Sequence, residues 1–253
     1  MAERTSTLYW GDCVRVAGRK ISKSLLDELT PTLVNLTNAY IWDKYDWRMS
    51  ISTLPSFYCV PNQQTYGAPA NIIPTDFYGL RTAQLVRTDN VPPLTFNLTI
   101  VKDIQPTFIR FLPSSICYDQ ATQAFRLWPR FPSNIGCPTY MITGTYKIRP
   151  PKIAANAIDS TLLPFDDMFF EMFTETMKYV AYTLDNDPRA GQISAVNGQI
   201  NATGQAAVAK GLIDWAASCE GLEMGEPEIS PQEALVVTGT WTSDPFGIGF
   251  FTY

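Results

Sequence analysis

The apolar and polar positions of the chain change period several times, and each change predicts a different kind of element. Residues 1–21 are mostly polar, with Arg15, Arg19 and Lys20 close together and Lys23 just beyond, and read as a solvated arm. From Ser22 onward Leu25, Leu26, Leu29, Leu33, Leu36 and Tyr40 recur at helical spacing. Pro31 interrupts that run. A proline is tolerated in the first turn of a helix, where its missing N–H costs nothing, and Thr30 before it suits an N-cap. The expectation is a short helix near 22–29 and a longer one over 31–46. The second ends in Tyr40, Ile41, Trp42, Tyr45 and Trp47, which should wedge against a neighbouring domain rather than stack on bases.

Between residues 50 and 150 the helical period disappears. Prolines are frequent, and each belongs at a strand end, edge or turn. Between them stand short β-type runs: 57–60, 82–87, 94–101, 108–112, 116–118, 124–128 and 139–148. In the last, Tyr140, Ile142, Gly144 and Tyr146 share one face. Asp119 to Gln123 reads as a hairpin loop. This pattern predicts an antiparallel sandwich or barrel-like module. After a linker, Pro164 to about Leu184 returns to helical spacing, with Phe165, Phe169, Met172, Phe173, Thr176, Met177, Val180 and Leu184 in one broad stripe. Asp187-Pro188 is a cap followed by a first-turn proline, so a further long or broken helix is expected over 188–221. Small residues dominate it, and Ala202, Ala206, Ala207 and Gly211 are the candidates for close packing on the previous helix or on another subunit. The fold class predicted is therefore α+β. Its parts are an N-terminal arm and helices (1–49), a β-rich domain (50–150), a helical module (151–222) and an extended C-terminal arm (223–253).

Composition narrows the function. The chain has 253 residues, of which 45% are hydrophobic, enough for a substantial core. It contains no histidine, which excludes Ser-His-Asp and Cys-His nucleophile pairs, His-ligated zinc and His proton shuttles. The five cysteines, at 13, 59, 117, 137 and 219, form no CxxC and read as reduced, mostly buried thiols. The start Met1-Ala2-Glu3-Arg4 is polar and predicts no secretory signal, and no run approaches the roughly 18 apolar residues of a membrane span. Synthesis in the cytoplasm follows as an expectation, and the sequons at Asn35, Asn97 and Asn201 then read as chance. The net charge of −5 is uneven: residues 1–158 hold 16 basic and 10 acidic side chains, residues 159–253 only 3 and 14. Such a division suggests surfaces that meet different partners.

No nucleotide-binding, metalloprotease, nucleophile-elbow or calcium-loop motif occurs, and Gly247-Ile-Gly249 is only half of a dinucleotide fingerprint. Asp166/Asp167 point about 100° apart on a helix and read as capping groups rather than a metal or acid–base pair. Asp185 and Asp187 flank a turn and read the same way. No catalytic, cofactor-binding or metal-ligating residue is predicted, and the chain is not expected to be an enzyme. The end of the chain is unusual for a terminus. Trp241, Phe246, Ile248, Phe250, Phe251 and Tyr253 crowd into a segment without helical period, which suggests docking on another chain.

The order of these segments resembles the head-to-tail adaptor (connector, or neck-ring) proteins of tailed bacteriophages. One likeness lies in Ala39-Tyr-Ile-Trp42 and Trp47, followed by Val60-Pro-Asn-Gln-Gln-Thr-Tyr66 and Ile73-Pro-Thr-Asp-Phe77. A second lies in Leu127-Trp-Pro129 followed by Tyr146-Lys-Ile-Arg-Pro150, and a third in Leu163-Pro-Phe-Asp-Asp167 leading to Leu184-Asp-Asn-Asp-Pro188. The likeness spans roughly residues 25–220, and it is the order of the motifs that carries it. The resemblance implies a structural virion protein made in the host cytoplasm and placed at the capsid vertex. Its copies would form a ring, a dodecamer by the family's pattern, beneath the portal protein, with tail or nozzle proteins below. DNA would pass through the lumen during ejection without specific binding, and no membrane is involved. The aromatic residues 241–253 are the candidate portal-docking arm, and acidic helices would suit a channel that repels phosphates. Alternatives are another neck or tail-completion ring protein, or a host- or carbohydrate-binding β-sandwich on a helical oligomerisation stalk. A His-free carboxylate hydrolase is the enzyme alternative, and it would need two carboxylates about 5–10 Å apart in one cleft.

Overall fold

The computed structural model describes residues 8–21, 23–67, 72–133, 139–154, 161–196 and 199–222. The fold is α+β. The chain divides into two compact units. One comes from the described parts of Met1–Ser50 and Arg149–Glu228, the other from those of Ile51–Ile148.

In the first unit, α1 (Trp10–Ala17), α2 (Lys23–Lys44), α3 (Phe170–Leu184) and α4 (Gly204–Cys219) pack together, with α3 against each of the others. Helix α1 corrects the expectation of a solvated arm. Trp10, Cys13 and Ala17 are buried at i, i+3 and i+7, so Arg15 between them decorates the outside of a docked helix, and Arg19 and Lys20 stay exposed just after it. Helix α2 is continuous, with Pro31 inside it, where two helices were expected. Proline removes one helical hydrogen bond, and this helix has compensating anchors further along. Asn35 exchanges two bonds with Ile153, donating to its carbonyl at 3.0 Å and accepting from its N–H at 2.7 Å. Asn38 donates to Pro151 O at 2.6 Å. The linker after the β unit is thereby fastened along α2. Trp42 and Trp47 are fully buried and meet Phe165 edge-on, at centroid separations of 6.3 and 6.1 Å.

The helix expected from Pro164 begins instead with a 3₁₀ turn, Asp167–Phe169, before α3. The expected helix over 188–221 is also corrected. A 3₁₀ turn, Pro188–Ala190, is followed by an antiparallel hairpin of β9 (Ile193–Val196) and β10 (Gln199–Ala202), and only then by α4. Gly191 sets this path: its φ is +76°, and a Cβ there would lie 1.8 Å from Thr203 O. The small residues thus belong to two different elements.

The second unit is a sandwich of two four-stranded sheets. One has the order β1 (Ile51–Tyr58), β8 (Tyr140–Ile148), β3 (Phe77–Arg87), β4 (Leu94–Asn97). The other has β2 (Thr65–Gly67), β7 (Ala124–Trp128), β6 (Ser115–Asp119), β5 (Thr99–Ile100). All pairs are antiparallel except β5 with β6, which is parallel and departs from the expected all-antiparallel module. One core joins the sheets: Phe57 stacks on Phe125 at 5.9 Å, and Phe77 meets both Phe125 and Tyr118. Pro55 lies within β1, an edge strand, where pairing with β8 shifts register between Leu54 and Phe57. An edge bulge is one of the few places a strand tolerates proline. The expected strand at 108–112 is a loop instead, touching the sheet through a single bridge from Arg110 to Arg130. Phe108 and Phe111 face solvent there rather than alternating into the core.

Charge also divides differently from the sequence expectation. Residues 51–148 hold seven Lys/Arg and four Asp/Glu, while the basic N-terminal segment joins the acidic helices in the other unit. The most one-sided stretch is 223–253, with five carboxylates and no basic residue, and it lies outside the described residues.

Candidate functional site

Asp166, Asp187 and the buried cysteines, all candidates for chemistry in the sequence, have structural roles. Asp166 accepts from Met168 N at 3.3 Å, capping the turn ahead of α3. Asp187 accepts from Arg189 N at 2.8 Å and pairs with the Arg189 guanidinium, and both bonds hold its carboxyl below the usual range. Cys13, Cys59 and Cys117 are buried, and burial pushes the Cys13 thiol up to about 12 and Cys117 to about 11. Thiols so protonated are packing groups, not nucleophiles. Cys219 is exposed, and Cys137 lies outside the described residues. Among the described residues no cluster of three metal-ligating side chains occurs, and no helix is long and apolar enough to cross a membrane.

The acidic residues of α3 and α4 are largely spent within the unit. Glu175 is bound by Lys178 and accepts from Gln205 at 2.7 Å. Asp214 accepts from Lys210 at 2.5 Å and from Tyr45 at 2.7 Å. Glu220 is buried and accepts from Arg48 N at 3.3 Å. A carboxylate neutralised in this way repels phosphate weakly, so the negative surface of the helices is smaller than the composition implies.

The four packing candidates separate. Ala206 is buried in the helical unit; Ala202 and Ala207 are half-buried; Gly211 is exposed, with open space where a Cβ would point. Helix α4 therefore has two faces. Ala206, Ala209, Ile213, Ala216 and Ala217 are buried, and α4 packs against α3. Val208, Gly211 and Trp215 recur at i, i+3 and i+7 on an uncovered face, with Val208 and Trp215 46% and 47% exposed. Trp215 also meets Phe169 edge-on at 6.2 Å. An exposed tryptophan beside a glycine gives a partner helix both a large apolar contact and room for close approach.

Two exposed apolar features of the β unit escaped the reading of the sequence. Among the described residues strand β4 is exposed at all four positions and is an edge strand with neither proline nor bulge, although two prolines stand just before it. Phe108 and Phe111 are 88% and 67% exposed, and Arg130 lies over the Phe108 ring at 5.7 Å. Their β-type spacing signalled strands; their exposure depends on the sheet order, which no local pattern gives. Trp241, Phe246, Ile248, Phe250, Phe251 and Tyr253 lie outside the described residues. No protein-family model and no curated protein matches the chain.

Proposed function

We propose that the chain is a structural, non-enzymatic virion protein: a head-to-tail adaptor whose copies form a ring, a dodecamer in the family it resembles, between the portal and the tail. Its partners are then other copies of itself, the portal protein, and tail or nozzle proteins, with DNA sliding through the lumen unbound. The observation that carries this reading is the uncovered apolar face of α4, Val208–Gly211–Trp215, on a helical unit assembled from both ends of the chain. A helical module that carries self-association, with a β unit inserted into it, is what the segment order resembles. The spent thiols and capped carboxylates support a role in assembly rather than catalysis. The test is the mass of the purified full-length chain, alone and with portal, by native mass spectrometry. A closed ring that adds to the portal is the expected result; a monomer at micromolar concentration overturns the proposal.

A further inference from the structure

Sheet edges are costly to leave open, and among the described residues the two edges of the first sheet, β1 and β4, are treated differently. Strand β1 is blunted by Pro55 and a bulge, both of which discourage pairing. Strand β4 has neither device. Leu98 N donates to Ala83 O at 2.9 Å, which fixes the alternation along this strand. Leu94, Phe96 and Leu98 direct their main-chain groups to β3, and those of Thr95 and Asn97 point away from the sheet. Leu94 and Phe96 are 45% and 44% exposed on the face that carries Leu85, so the row of side chains beside this edge is apolar and uncovered. On the opposite face of the sheet Gln84 donates to the Asn97 side chain at 3.1 Å, in a groove also lined by Arg81 and Thr99.

Of the chain beyond α4, residues 234–242 (Ala-Leu-Val-Val-Thr-Gly-Thr-Trp-Thr) have the composition of a strand: uncharged, rich in β-branched side chains and bracketed by Pro231 and Pro245. Glu233 and Asp244 stand near its two ends, in a segment with no basic residue, while Arg81 lines the groove beside β4. Residues 223–233 form a leash of eleven residues, which spans roughly 36 Å when extended.

We propose that residues 234–242 of one copy add as a further strand to the β4 edge of a neighbouring copy, linking subunits by strand addition. The inference rests on the ring reading above. Main-chain bonds to Thr95 and Asn97 give the affinity, and Leu94 and Phe96 receive alternate side chains of the incoming segment. Residues 246–253 are left over for a different partner.

The test uses the full-length chain carrying Cys137→Ser and Cys219→Ser. Thr95→Cys is combined in turn with cysteine at each position from 236 to 242, and the oxidised products are separated without reductant. The expected result is a ladder of covalent oligomers at alternate positions only, which marks a strand in trans. Intramolecular disulfides, or no disulfide at any position, overturn the proposal. Thr95→Pro is the second variant: it removes only an outward-facing N–H, so melting of the subunit should be unchanged while the ring is lost. Rings that persist with Thr95→Pro overturn the strand addition and leave the adaptor reading standing. A wild-type chain that forms no ring overturns both.

Discussion

Tyr45, just beyond α2, donates a 2.7 Å hydrogen bond to the Asp214 carboxylate in the middle of α4, joining positions 169 residues apart. This bond connects the N-terminal and C-terminal contributions to the helical unit. Asp214 also accepts from Lys210. Tyr45→Phe therefore leaves the carboxylate partnered and deletes one charge-assisted bond, at a cost of about 1–2 kcal/mol. Chemical denaturation should show that loss with no change in secondary structure, whereas Asp214→Ala should cost more, because Tyr45 and Lys210 both lose their acceptor.

The same region predicts a response to alkali. Burial pushes Tyr40 up to about 12, and burial followed by the Asp214 contact does the same for Tyr45. Burial of Cys13 raises its thiol to about 12. In each case the folded state holds the proton more tightly than the unfolded chain does. Their contribution is fully present below the unfolded values, about 9–10, and is lost as pH rises toward about 12. Unfolding free energy should therefore be level from neutrality to about pH 9 and then fall. Cys13→Ala should shallow that fall; an unchanged slope would show that the thiol does not contribute.

How much of this was written locally is uneven. Ala124–Trp128 is the expected strand, and Asp119 beside it closes the hairpin by accepting from Ala121 N at 2.9 Å and from Thr122 at 2.8 Å. Asp187 and Pro188 do cap a turn. Those elements need only neighbours in sequence. Helix α1 was hidden because its basic residues dominate the composition, although Trp10, Cys13 and Ala17 already have helical spacing. The β9–β10 hairpin was hidden by small residues that suit either state, yet Asn197-Gly198 between the strands is a strong hairpin dipeptide. The exposed edge of β4 and the bare face of α4 are consequences of tertiary order. They become visible only once the neighbours on the other side are known.

Gly144 tests whether the centre of the first sheet tolerates any side chain. A Cβ there would lie 2.1 Å from Thr82 O, at the irregular stretch where β3 pairs with β8. That carbonyl is main chain and has little freedom to retreat. Gly144→Ala should cost roughly 1–3 kcal/mol or more by overpacking. The melting temperature of the β unit should fall, with α-helical circular dichroism retained until a higher temperature if the two units unfold separately.

The two faces of α4 separate folding from assembly. Ala206→Leu inserts bulk at a buried site and should lower subunit stability by roughly 1–3 kcal/mol. Gly211→Leu meets open space, and replacing a helical glycine should stabilise the isolated subunit by about 0.5–1 kcal/mol. If α4 presents this face to another copy, the same leucine obstructs that approach. The expected signature of Gly211→Leu is a subunit that melts at or above the wild-type temperature but no longer assembles. Retention of full assembly would place the subunit contact elsewhere.

The aromatic residues after 239 carry the last expectation. They have no helical period and no basic residue to hold them in solvent. The core of the helical unit is already closed around Trp42, Trp47, Phe165 and Phe173, and that of the β unit around Phe57, Phe77 and Phe125. With large aromatic side chains already filling both cores, truncation after Asp244 is expected to leave the thermal unfolding of both units unchanged within about 1 kcal/mol. Under the adaptor reading the truncated chain still forms its ring, because residues 234–242 and α4 remain, but it no longer stays on the portal. Co-sedimentation of ring and portal measures this directly. Undiminished attachment would remove Phe246, Ile248, Phe250, Phe251 and Tyr253 from the portal contact.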